Sequence, residues 1–125
     1  MFGYDDQDTL DGALALSESL SKTGQCAEGI SLLREVIPKA RKYFGADSDI
    51  TLRLTSTLGN NICMNEASSL DDVAEAEKLF SDNLRKATRL HGSNHPTTAK
   101  LAYQLKSAHK LIATMRLRDR ARRSN

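Results

Sequence analysis

Five arginines fall within eight residues near the C-terminus: Arg116, Arg118, Arg120, Arg122 and Arg123, interrupted among charges only by Asp119. Guanidinium groups at this density pair with phosphate or carboxylate oxygens, so the run could bind nucleic acid or an anionic membrane surface, or serve as a nuclear import address. No aromatic residue is interleaved with them, and base stacking needs one. The plainer reading is a helix end whose arginines favour its negative dipole pole and keep the chain soluble.

The other reactive side chains are sparse. His91 and His95 stand four apart, a spacing that could hold a metal on a helix, but Gly92 and Pro96 interrupt any such helix, so a loop and capping role is expected. Cys26 and Cys63 are too few and too far apart for a disulfide or zinc framework and suit a reducing compartment. Asp5, Asp6, Asp8 and Asp11 cluster without the glycine and closing glutamate of a calcium loop. With no phosphate-binding glycine loop, nucleophile elbow or carboxylate pair, the sequence points away from an enzyme and implies no cofactor and no metal.

The 125 residues contain 39% apolar, 5% aromatic and 27% charged residues and no tryptophan. No apolar run approaches the ~20 residues that cross a bilayer. The acidic start, MFGYDDQDTL, is unlike a secretory leader, so a cytoplasmic location is expected. The formal charge of +2 conceals a segregation: residues 1 to 82 hold 15 acids and 7 bases, whereas residues 83 to 125 hold one acid and 11 bases. The chain is electrically polar, with a basic C-terminal pole.

Three segments share a pattern: Phe2 to Thr9, Phe44 to Thr51 and His91 to Thr98. Gly3, Gly45 and Gly92 are separated by 42 and 47 residues, and Thr9, Thr51 and Thr98 repeat those intervals. Between them the apolar residues keep a helical period. The expected stripes are Leu10, Ala13, Leu16 and Leu20; then Ile30, Leu33, Ile37, Ala40 and Phe44; then Leu54, Leu58 and Ile62. Two more follow: Val73, Ala76, Phe80, Leu84 and Ala87; then Leu101, Leu105, Ala108, Ile112 and Met115. Five helices are predicted at 7 to 23, 26 to 44, 48 to 66, 70 to 91 and 95 to 118, packed as antiparallel hairpins by short connections. Gly24, Gly45 and Gly92 are placed as left-handed caps. Pro96 fits a first helical turn, while Pro38 lies inside the second helix, where it should kink it at a cost of ~3 kcal/mol.

A 42-residue helical hairpin opened by Gly92-x-x-His95-Pro96-x-Thr98 and followed by a leucine-rich helix resembles the tetratricopeptide repeats of kinesin-light-chain-like proteins. The resemblance places Leu16, Leu58 and Leu105 at the large apolar position of each first helix. It places Ser17, Gly59 and Lys106 at the neighbouring small position, Leu20, Ile62 and His109 at the aromatic or large position, and Gly29 and Ala76 at the small position of the second helix. It implies an all-α helical-hairpin solenoid over residues 1 to 115, two hairpins and a final helix, followed by a basic tail at 116 to 125. Half repeats at the ends imply a partial array, with self-association through uncapped ends as one consequence.

The same resemblance implies a protein-interaction scaffold in which the first helices line a concave groove for an extended peptide. Its lining would be Asp11, Ala15 and Glu18, then Arg53, Thr57 and Asn60, then Lys100, Gln104, Ser107 and Lys110, running from acidic to basic. Arg53, Lys100 and Lys110 would suit an acidic or carboxylate-bearing partner. The alternative is nucleic-acid or anionic-surface binding through the arginine tail.

Overall fold

A computed structural model describes residues 6–124, and over that range the chain is all helical. The elements are α1 (Gln7–Lys22), α2 (Cys26–Phe44), α3 (Asp49–Met64), α4 (Leu70–His91) and α5 (Pro96–Ser124). The first half of the first repeated segment, residues 2–5, lies outside the described range.

Local chemistry fixes the starts of the helices. Asp6 and Ser48 each accept a backbone N–H of the following turn, as N-caps do. Ser69 and Asp72 exchange such bonds in a capping box: the Asp72 N–H donates to Ser69 Oγ at 3.1 Å, and the Ser69 N–H donates to Asp72 Oδ2 at 2.9 Å. At the start of α5 the Thr97 N–H donates to His95 Nδ1 at 3.1 Å, so an imidazole does the work of the usual hydroxyl or carboxylate.

At the ends, Gly45 and Gly92 have φ of 94° and 85° with ψ of 153° and 166°. The positive φ is as expected, but the extended ψ differs from a left-handed helical cap. It is a region that only glycine occupies freely, and it turns the chain straight out of the helix. α2 runs through Pro38, which is exposed, to Phe44.

Each connection between helices has three to five residues, so successive helices form hairpins. Besides these sequential neighbours, α1 packs on α3 and α3 on α5. The Asn61 amide donates to the Ser17 carbonyl at 3.4 Å and Ser21 Oγ lies 3.2 Å from Met64 Sδ, so α1 and α3 run parallel. α2 and α4 are joined by the Arg34–Glu75 ion pair. α3 is therefore the one helix that packs against all four others.

The core is built from Leu10, Leu14, Leu33, Val36, Ile37, Leu54, Leu58, Ile62, Ala76, Phe80, Ala87, Leu101 and Ala108 with their neighbours. Small residues let the helices approach. A Cβ on Gly29 would lie 2.5 Å from the Asn61 amide nitrogen, and one on Gly59 would lie 2.8 Å from the Phe80 ring.

Two stripes differ from the sequence expectation. In α1 the buried positions are Leu10, Leu14, Ser17 and Ser21, while Leu16 is 52% exposed and Ala13 and Leu20 are half-buried. α1 carries two apolar stripes about 100° apart, and hydropathy alone favoured the greasier one; packing between α2 and α3 selects the one with small hydroxyls. In α4, Asn83 occupies the buried place that periodicity gave to Leu84.

The last helix is also longer than expected. It runs to Ser124 instead of residue 118, so residues 116–124, read as a tail, are helical and continuous with α5. Arginine and alanine are strong helix formers and no glycine or proline interrupts the run.

Candidate functional site: a cleft across the first, third and fifth helices

The parallel helices α1, α3 and α5 leave a cleft of about 740 Å³. Its α3 wall runs the length of the helix, from Asp49 through Arg53, Ser56, Thr57 and Asn60 to Met64. α1 contributes Glu18, Ser21 and Lys22 from its C-terminal half, and α5 contributes Thr97, Lys100, Leu101, Tyr103 and Gln104 from its N-terminal half. A smaller recess of about 250 Å³ adjoins it, sharing Asn60, Met64, Tyr103 and Gln104 and adding Cys63, Phe80, Ser107 and Leu111.

Of the expected groove residues, Glu18, Arg53, Thr57, Asn60, Lys100 and Gln104 line the cleft together. Ser107 lines only the recess. Asp11, Ala15 and Lys110 line neither. Lys110 lies beyond Gln104, the last α5 residue of the cleft, and stands about 100° around the helix from Leu111, which enters the recess.

The charge gradient is also flatter than expected. Glu18 and Asp49 line the cleft together with Lys22, Arg53 and Lys100, two acids among three bases, and none of the three bases makes an ion pair among the described residues. The sequence reading missed Asp49 and Met64, although they continue the 53, 57, 60 pattern by one helical turn at either end, and Ser56, which lies beside Thr57 within it. Tyr103, 73% exposed, was missed because its apolar ring stands off the buried stripe.

Arg53 and Lys100 are each the fifth residue of their helix, α3 and α5, so two cations stand at equivalent places in the second turn from the positive helix poles. Neither has an ion-pair partner among the described residues, whereas Arg34, Arg85, Lys86 and Arg89 all do. Between them the cleft is lined by hydrogen-bonding groups. Thr57 Oγ1 donates to the Arg53 carbonyl at 2.9 Å, and the Asn60 amide lies 3.3 Å from Met64 Sδ. Gln104 Oε1 and Asn61 Oδ1 are buried acceptors with no donor among the described residues. Such a surface can hold a carboxylate at one end and the backbone amides of an extended chain along its length.

The histidines and cysteines take other parts. His91 and His95 stack with ring centroids 4.4 Å apart, and His95 Nδ1 is committed to capping α5. His109, placed by the resemblance at a packing position, is mostly exposed on the rim and meets Glu77 at 3.0 Å. Cys26 is buried and Cys63 half-buried; both are free thiols, and burial pushes the Cys63 thiol above its ordinary range. No group of three or more potential metal ligands occurs among the described residues. No helix among them is long and apolar enough to cross a membrane. Compared with protein-family models, with curated proteins and with solved structures, the chain shows no match.

Proposed function

We propose that the chain is a protein-interaction module of the tetratricopeptide-like kind, holding an extended peptide with a carboxylate in the cleft across α1, α3 and α5. The observation that carries this reading is the presence of Arg53 and Lys100, neither with an ion-pair partner among the described residues, at equivalent places in one cleft of about 740 Å³. The small residues at the helix crossings, Gly29 over Ser17 and Gly59 over Phe80, support the hairpin-repeat reading. In it the chain supplies surface and geometry and no covalent chemistry, as expected of a cytoplasmic scaffold.

Fluorescence anisotropy with labelled octapeptides, acidic against amidated neutral ones, tests this directly. Acidic peptides should bind, and the double substitution Arg53→Glu with Lys100→Glu should weaken them by about tenfold or more, a loss of roughly 1.4 kcal/mol. Equal binding of acidic and neutral peptides, or indifference to the double substitution, would sink the reading.

A further inference from the structure

Four bases of α2 and α4 have a carboxylate partner: Arg34 meets Glu75 at 2.8 Å, Arg85 meets Asp82 at 2.6 Å, and Lys86 and Arg89 meet Asp47 at 3.1 and 3.4 Å. α5 is different. It carries three lysines and five arginines against one carboxylate, Asp119, and none of these bases has an ion-pair partner among the described residues.

Four of the five arginines, Arg118, Arg120, Arg122 and Arg123, occupy a part of α5 that projects, and Arg116 stands at its root. His109 pairs with Glu77 of α4; α4 has seven residues before Glu77, and α5 has fifteen after His109. α5 therefore outruns its neighbour by about eight residues, roughly 12 Å.

At about 100° per residue the five arginines divide between two opposite flanks of this projection: Arg116, Arg120 and Arg123 on one, Arg118 and Arg122 on the other. Met115 and Asp119 continue the inward face and are half-buried. The outward strip between the flanks holds Leu117, Ala121 and Ser124, uncharged and exposed.

A rod with cations on two opposite sides and a neutral outward edge between them complements a groove with an anionic wall on each side. The major groove of B-form DNA, about 12 Å wide, admits an α-helix between two rows of phosphates. Three other polyanions fit worse. A membrane surface asks for a broad apolar face, and Leu117 is the only large apolar residue on the outward strip. Single strands ask for stacking aromatics, and none follows Tyr103. A-form RNA has a major groove too deep and narrow for such a helix.

We infer that the projecting C-terminal turns of α5 lie in the major groove of double-stranded DNA, with Arg116, Arg120 and Arg123 on the phosphates of one wall and Arg118 and Arg122 on those of the other. Contacts of this kind position the protein and read no sequence. The site is separate from the cleft and does not depend on a peptide ligand.

Anisotropy of a labelled 20-base-pair duplex of mixed sequence, titrated with the intact chain from 50 to 200 mM salt, provides the test. Five phosphate contacts should give a log–log salt slope of about −4.5, several hundredfold in affinity over that range. Arg118→Ala with Arg122→Ala should reduce the slope by about 2, and alanine at the three arginines of the other flank by about 3. Alanine at exposed helical sites keeps helicity, which circular dichroism verifies in each variant. The proposal is overturned by absence of duplex binding at 50 mM salt, by binding that survives alanine at all five arginines, or by equal affinity for single strands or duplex RNA. Displacement of the duplex by vesicles of 30% phosphatidylserine would overturn it as well.

Discussion

Asn83 sits in the middle of α4's buried face, 3% exposed, and its amide nitrogen points at three acceptors of α3. These are Thr55 Oγ1 at 2.7 Å, Ser56 Oγ at 3.0 Å and the Leu52 carbonyl at 3.3 Å. Two amide protons are shared among three oxygens, so the side chain is satisfied only in this register of α3 against α4. Replacing it deprives the buried Thr55 hydroxyl and Leu52 carbonyl of this donor and empties the space the amide filled, and an unmet buried polar group costs about 1–3 kcal/mol. Asn83→Ala should accordingly lower stability by about 2 kcal/mol, read as a shifted urea midpoint with an unchanged slope. Asn61 plays a weaker version of the part between α3 and α1 through its 3.4 Å bond to the Ser17 carbonyl. Neither asparagine was legible beforehand, because a hydropathy stripe counts them as surface residues; the signal lay in their spacing, since Asn83 completes the 73, 76, 80, 83, 87 series.

At the scale of elements, the helices were readable because caps and breakers stand at their ends in plain sequence, and four of the five match within two residues. The faces were less readable. α1 bears two apolar stripes, and only the presence of both α2 and α3 decides that Leu14 goes in and Leu16 stays half out. The cleft was partly legible because the repeat spacing put Arg53 and Lys100 in register, while Lys110 failed because it lies beyond Gln104, the last α5 residue of the cleft, and is turned from Leu111 in the recess. The tie between α2 and α4 has a pH signature. Its Arg34 guanidinium, hydrogen-bonded to both Glu75 oxygens at 2.8 Å, holds that carboxyl below the ordinary range, against the upward push of burial. Because the folded state binds this proton less tightly than the unfolded chain, the stabilisation is present above the ordinary carboxylate range. It is lost as pH falls through the folded value. Both side chains are about half exposed, so the effect is below about 1 kcal/mol. Thermal melts from pH 7 down to pH 3 should show Glu75→Gln losing less stability on acidification than the parent.

Taken whole, the molecule is a row of neighbours: α1 touches α2 and α3 and has no close approach to α4 or α5 among the described residues. Damage at one end should therefore stay local. Leu10→Ala, at a fully buried site, should cost about 2–5 kcal/mol. Hydrogen exchange should show the amides of α1 and α2 opening while those of the α4–α5 hairpin keep their protection; uniform loss across all five helices would contradict this. α3 is the exception to the row, because every other helix rests on it and the cleft's longest wall is its outer surface. It is at once the axle of the assembly and the surface a ligand would press. A guest seated against Arg53, Thr57 and Asn60 therefore leans on the single part that both halves of the molecule share, so its arrival would be felt as stiffening at α1 and α5 alike.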